Sequence, residues 1–276
     1  MTRRQFLTLT GGAAATGVAL YTWRIEPHWL EIVRRPLPIR GLPASLAGKT
    51  LAHISDIHVG PRVDDDYLVE AFARLRALDA DIVAVTGDFV SHHAEMFAQM
   101  DRIYRHFPHG RLATVSVLGN HDYGPGWAHP EVADRVVESV ERHGIRVLRN
   151  KIADIGGLQV VGLDDLWADR FDPWVAFSRF DASRPAIALS HNPDTVDRPG
   201  WDGYSGWILS GHTHGGQCKP PFLPPPLLPV RNRRYTCGEF ELAGGRRLYI
   251  SRGVGHLMRV RVNVRPEITL FSLERA

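Results

Sequence analysis

From Thr50 onward, short apolar runs alternate with longer stretches in which apolar side chains recur every three to four positions. The first pattern predicts buried strands, the second amphipathic helices. Residues 50–57 read as a buried strand, 66–79 as a helix with Tyr67, Phe72, Leu75 and Leu78 inward, and 81–86 as the next strand. The unit then repeats, with a helix at 93–107, a strand at 112–118 and a helix at 130–143. The second half predicts strands at 158–163, 186–190, 206–210, 235–242, 247–251 and 267–273. This alternation calls for a layered α/β domain in which two stacked sheets are flanked by helices. No internal repeat interrupts it.

The first 48 residues follow a different pattern. Thr2-Arg3-Arg4-Gln5-Phe6-Leu7 precedes a charge-free stretch over 6–23 rich in Gly, Ala and Thr, similar to a twin-arginine export signal. Eighteen residues can also just span a hydrocarbon core of about 30 Å. Ala13-Ala14-Ala15 lies too early for a cleavage site and Trp23-Arg24 resembles an interfacial boundary. The expectation is a retained N-terminal membrane anchor over 1–24, with the domain on the periplasmic or extracytoplasmic side. Pro36, Pro38 and Pro43 then predict an extended linker over 25–48, and 49–276 forms the domain.

Charge sharpens this division. Residues 1–40 hold six Arg against Glu26 and Glu31, whereas from residue 41 onward 27 basic side chains meet 28 acidic ones. The domain therefore lacks the basic excess that holds a nucleic-acid backbone, so no stable nucleic-acid partner is expected. Cys218 and Cys237 are too few for a disulfide scaffold; one bridge or two unpaired thiols both fit.

The candidate chemistry falls at predicted strand ends. Asp56 and His58 end the first strand, Asp88 follows the second, and Gly119-Asn120-His121-Asp122 follows the third. The ends of adjacent parallel strands converge on one crevice, so these residues become neighbours. Asp56 and His58, two apart in an extended segment, point to the same side and can grip one ion; His212 and His214 repeat that spacing. Asp88 offers two carboxylate oxygens for two cations, Asn120 an amide oxygen and His191 another imidazole. Nitrogen and oxygen donors without thiolate favour manganese, iron or zinc. Gly87, Gly119, Gly211, Gly215 and Gly216 flank these residues and permit close backbone approach. His256, after another predicted strand, is expected to line the site as a substrate contact; His53, His92, His93, His109, His129 and His143 fit no such arrangement.

Asp56-Ile57-His58, Gly87-Asp88, Gly119-Asn120-His121-Asp122, His191 and Gly211-His212-Thr213-His214 resemble, in order and spacing, the five motif blocks of the calcineurin-like metallophosphoesterases. The resemblance covers roughly residues 49–273 and implies a four-layer α/β/β/α sandwich of two mixed sheets. It implies two divalent metal ions, one held by Asp56, His58, Asp88 and His214 and the other by Asp88, Asn120, His191 and His212. By the same analogy His121 is a catalytic imidazole that is not a ligand, and Asp122 orients it. The overall resemblance is nearest to the small membrane-linked branch, which includes phosphodiesterases and UDP-2,3-diacylglucosamine pyrophosphatases. The implied substrate is a lipid-linked phosphodiester or pyrophosphate related to lipid A, although an exported domain conflicts with a strictly cytoplasmic nucleotide-lipid.

Residues 220–230, apolar and stiffened by prolines, precede Arg231, Arg233 and Arg234. This segment reads either as a loop packed on the sheet or as one that meets a membrane surface. Two rival functions are a metal-dependent nuclease or protein phosphatase, opposed by the near-neutral domain, and a non-catalytic metal-binding envelope protein, opposed by His121 and Asp122 beside the metal set.

Overall fold

The computed structural model describes residues 2–93 and 95–276. Two six-stranded sheets form the domain. The first runs β1 (Glu31–Ile39), β12 (Glu267–Arg275), β2 (Thr50–Ile54), β3 (Ile82–Thr86), β4 (Ala113–Val117), β5 (Arg146–Val147). The second runs β10 (Gly238–Glu241), β11 (Arg247–Ile250), β9 (Trp207–Ser210), β8 (Ala186–Leu189), β7 (Leu158–Gly162), β6 (Lys151–Ile155).

Period-two alternation sorts the apolar residues between layers. On β3, Ile82 and Ala84 join the core between the sheets, while Val83 and Val85 face the core beneath the helices. On β8, Ile187 and Leu189 meet the first sheet, and Ala186 and Ala188 point outward. A strand covered on both faces needs apolar residues at every position, which is why β3 reads as a continuous run. Helices α2 (Asp65–Arg76), α3 (Met96–Tyr104) and α4 (Pro130–Arg142) cover the first sheet. Asp64 caps α2 by accepting from the Asp66 N–H, and acidic first-turn and basic last-turn residues complement its dipole. The cover of the second sheet is thinner, with one short helix, α5 (Pro173–Ala176), and irregular chain around Trp201 and Tyr204. The four-layer sandwich of two mixed sheets is the observed architecture.

The expected linker is where sequence and structure part. Residues 31–39 form β1, paired in parallel with β12 along its whole length. Pro36 and Pro38 suggested a free extended chain, but an edge strand tolerates their missing N–H groups. Leu37 and Ile39 enter the core between the sheets. Upstream contacts continue: the Thr22 carbonyl accepts from the Arg261 N–H, and buried Glu26 accepts from the Val264 N–H at 2.7 Å.

Helix α1 (Arg3–Leu20) starts from a capping box between Thr2 and Gln5 and exposes Phe6, Leu9, Val18 and Leu20. Among the described residues no helix is long and apolar enough to cross a membrane. Three glycines and three threonines dilute the apolar stretch of α1. Cys218 and Cys237 are both free thiols, so the expected alternative of a bridge is not realised.

Burial of Leu37 and Ile39 is worth about 3–6 kcal/mol together at about 1.5–3 kcal/mol per side chain. A chain starting at residue 41 is therefore expected to melt well below one starting at residue 30, as thermal unfolding followed by circular dichroism would report. Equal melting temperatures would mean that β1 adds nothing to the domain.

Candidate metal centre

Every predicted ligand emerges just beyond a strand end: Asp56 and His58 after β2, Asp88 after β3, Asn120 after β4, His191 after β8, His212 and His214 after β9. The backbone there is not extended. Asp56, His58, Asp88, His212 and His214 all have left-handed φ values, between 49° and 69°. Such a conformation costs a residue with a Cβ roughly 1–2 kcal/mol, and concentrated outliers of this kind mark functional sites. Asp56 and His58 do reach one cluster, through consecutive sharp turns and not through strand alternation. Two glycines make room. A Cβ on Gly119 would collide with the Asp88 carboxylate, and one on Gly211 with Ser55 Oγ and the Asp56 carboxylate.

Two buried groups result, Asp56 with His58 and His214, and Asp88 with His191 and His212. In the first, His58 Nε2 faces His214 Nε2 at 3.1 Å, and His214 Nε2 lies 3.3 Å from Asp56 Oδ1. In the second, His191 Nε2 faces His212 Nδ1 at 3.1 Å. The opposite ring nitrogens are committed: His191 Nδ1 donates to the Thr86 carbonyl at 2.6 Å, and His212 Nε2 donates to the Pro229 carbonyl at 2.7 Å. With those nitrogens committed, only a proton or a cation can sit between the facing Nε2 and Nδ1, an arrangement that suits a metal site.

Asp88 joins the groups through a single oxygen. Its Oδ2 lies 3.5 Å from His58 Nε2 and 3.2 Å from His191 Nε2, while Oδ1 accepts from the His121 N–H at 2.9 Å. The sequence suggested one oxygen per ion; in the structure the same oxygen lies near a histidine of each group. Asn120 is buried, and neither its Oδ1 nor its Nδ2 has a partner. An orphaned buried amide is costly, and a ligand role for Oδ1 accounts for it. The donor set therefore fits a pair of divalent cations.

Electrostatics agree. Burial opposes ionisation of Asp56 and Asp88, but the imidazoles of His214 and His191 respectively outweigh it and hold both carboxyls below their usual range. Burial also opposes a charged His191, yet Asp88 and Asp56 hold its pKa up at about 10. Burial, reinforced by His191, pushes His212 down to about 3. Without metal, one proton thus occupies the second group.

Asp122 has a different role from the expected one. Its Oδ2 accepts from the N–H groups of Asp88 and Gly119, and its Oδ1 from those of Phe89 and Val90. It bonds the backbone of the loop that carries Asp88, and no bond to the His121 ring exists. His121 is partly exposed and packs edge-on against His58 with centroids 5.1 Å apart. His256 also departs from expectation. It is buried, its Nε2 donates to the Arg62 carbonyl at 2.9 Å, and its ring meets His28 edge-on, so its contacts are with the surrounding chain.

The model of the calcineurin-like phosphoesterases matches residues 49–216. The chain belongs to that family. It is 32% identical to Phosphodiesterase YaeI of Escherichia coli (strain K12), with 99% of each chain covered. It is 29% identical to the metallophosphoesterase YkuE of Bacillus subtilis (strain 168), over 99% of this chain and 98% of the relative. It is also 27% identical to UDP-2,3-diacylglucosamine pyrophosphatase LpxG of Chlamydia trachomatis, over 93% of each. Membership makes the chain a metal-dependent phosphoester hydrolase with a dinuclear metal site.

Sequence reasoning missed one neighbour. Asp165 follows the end of β7 as the ligands follow theirs, and applying the strand-end rule to 158–163 would have found it. Its Oδ1 accepts from Trp167 and Ala168 N–H groups at 2.8 Å, its Oδ2 has no partner, and burial raises its pKa to about 7.

Two outcomes follow from this geometry. Removing the Asp122 carboxylate strands four buried N–H groups at about 1–3 kcal/mol each, so Asp122→Ala is expected to lose both metal content and thermal stability. A variant that kept full metal content and slowed only the pH-dependent step would restore the orienting role. Since the His191 proton persists up to about pH 10, loading manganese at pH 7.5 is expected to release about one proton per chain. Calorimetry in buffers of different ionisation enthalpy measures this, and zero release would contradict a proton held between His191 and Asp88.

Proposed function

We propose that the chain hydrolyses a phosphodiester or pyrophosphate bond in a lipid-linked, cell-envelope substrate at a membrane surface. The observation that carries the hydrolytic part is Asp88 Oδ2 set between two imidazole groups, with His121 beside them and open to solvent. Asp56, His58, Asp88 and His214 would hold one divalent cation, and Asp88, Asn120, His191 and His212 the other. When bound, such ions acidify water and compensate charge on phosphoryl oxygens. His121 donates a proton to the leaving oxygen, its position set by its own N–H bond to Asp88 Oδ1. Asp122 keeps that loop in place through the backbone. The phosphodiesterase and pyrophosphatase relatives support a diester or anhydride over a monoester.

The membrane part rests on exposed apolar side chains. Phe222, Leu223 and Leu227 project from the proline-rich loop, and Arg233 donates to the Pro225 and Pro226 carbonyls and so stiffens it. Phe6, Leu9, Val18 and Trp23 are likewise exposed in the N-terminal segment. An N-terminal segment that stays attached and lies at the extracytoplasmic face of a membrane fits these surfaces.

Asp88→Asn is expected to lower occupancy of both metal positions and abolish turnover, whereas His121→Ala retains both ions and slows turnover by about 10²–10⁴-fold. Metal analysis with kinetics on bis-nitrophenyl phosphate, nitrophenyl phosphate and UDP-diacylglucosamine decides this, and full activity in Asp88→Asn would remove the basis of the assignment. Sedimentation with anionic vesicles is expected to carry the full chain down, and Phe222→Asp with Leu223→Asp to weaken it; no sedimentation at all would refute the membrane part.

A further inference from the structure

Beside the metal centre lies a cleft of about 300 Å³ lined by Trp127, Trp167, Asp169, Asp194, Arg198 and Arg231. Its floor is aromatic. Trp127 and Trp167 lie 4.6 Å apart between ring centroids at 35°, and Trp167 meets the candidate ligand His212 edge-on at 4.4 Å. Trp127 in turn approaches His121 at 6.5 Å. A continuous row of rings therefore runs from His121 through both tryptophans to His212.

The row is held deliberately. Trp127 sits at φ 59°, a genuine outlier for a bulky residue. The Asp165 carboxylate fixes the turn that presents Trp167 by accepting its N–H. Both indoles remain partly exposed, although tryptophan is mostly buried in folded proteins.

The cleft carries two arginines and two aspartates, and they differ in how they are partnered. Neither the Arg198 nor the Arg231 guanidinium has a hydrogen-bond or ion-pair partner among the described residues. The Asp194 carboxylate, by contrast, accepts the Arg231 and Asn232 backbone N–H groups, and Asp169 is exposed at the rim. Flat π faces beside free guanidinium groups suit a planar ring that carries an anion.

We propose that Trp127 and Trp167, with Arg198 and Arg231, form a subsite for the substrate group beyond the scissile phosphorus, a planar ring bearing a second phosphate. This rests on the diester or anhydride reading above. The indoles stack on the ring, the guanidiniums pair with the second phosphate, and the scissile phosphorus is thereby set beside His121 and Asp88.

Calorimetry on the full chain with three probes tests this: uridine 5′-monophosphate (ring and phosphate), uridine (ring only) and ribose 5-phosphate (phosphate only). The monophosphate is expected to bind at least about tenfold tighter than either fragment. Trp127→Leu with Trp167→Leu is expected to erase its advantage over ribose 5-phosphate, and Arg198→Gln with Arg231→Gln its advantage over uridine. Near-UV and far-UV circular dichroism confirm that the variants fold. Equal affinity for the monophosphate and ribose 5-phosphate, or variants within twofold of the parent, would overturn the subsite. In kinetics with manganese, the tryptophan variant is expected to lose at least about tenfold more kcat/KM on UDP-N-acetylglucosamine than on methyl nitrophenyl phosphate. Equal losses would make the tryptophans supports of the centre. A parent enzyme that binds the monophosphate as described but cleaves neither ester would instead refute the hydrolytic reading and leave the subsite standing.

Discussion

Everything at this site depends on a crowding of ligand-type groups that the fold holds in place. Two pairs of imidazole nitrogens face each other at 3.1 Å in a buried crevice, beside carboxylates that are themselves deprived of water. No such grouping is stable alone, because charged and polar groups removed from solvent need compensation. The core beneath the helices, the core between the sheets and the core outside the second sheet supply the rigidity that keeps the strand ends converging. The Thr86 and Pro229 carbonyls then fix which nitrogen of each ring stays bare. The geometry is ready for cations before any arrive, as preorganised sites require.

The same pressure shows in the backbone. Five of the seven candidate ligands occupy left-handed conformations that only glycine adopts without strain. Glycine cannot serve there, because the side chain is the candidate ligand. The glycines stand next to these residues instead, where Gly119 and Gly211 yield the space that the Asp88 and Asp56 carboxylates fill. Local stability is thus given up at the centre and recovered in strands such as β3, whose every side chain is buried.

Much of this was legible from residue patterns, for physical reasons. β3 and β8 are covered on both faces and read as unbroken apolar runs; α2 carries an N-cap and charged ends that mark its limits. The gathering of the candidate ligands was legible because strand ends in a parallel arrangement share one crevice. β1 was not, because its prolines speak for an unpaired chain and only the edge position next to β12 makes them harmless. β5 and β6 were missed as well, since a two-residue strand and a half-exposed one leave little periodicity to read. Asp122 misled for another reason. Its neighbour in sequence is the His121 imidazole, but its neighbours in space are four N–H groups of the Asp88 and Gly119 turns, and side-chain identity alone does not say which partner wins.

The bond from His212 Nε2 to the Pro229 carbonyl has a consequence of its own. The acceptor is main chain, so any residue at that position could provide it and no side-chain preference records it. What must be preserved is the route of the loop back to the metal site. The exposed proline-rich excursion between Lys219 and Pro229 is therefore free to drift in composition and even in length, provided that its return point stays within reach of one histidine. The requirement that ties the loop to His212 passes silently through the backbone.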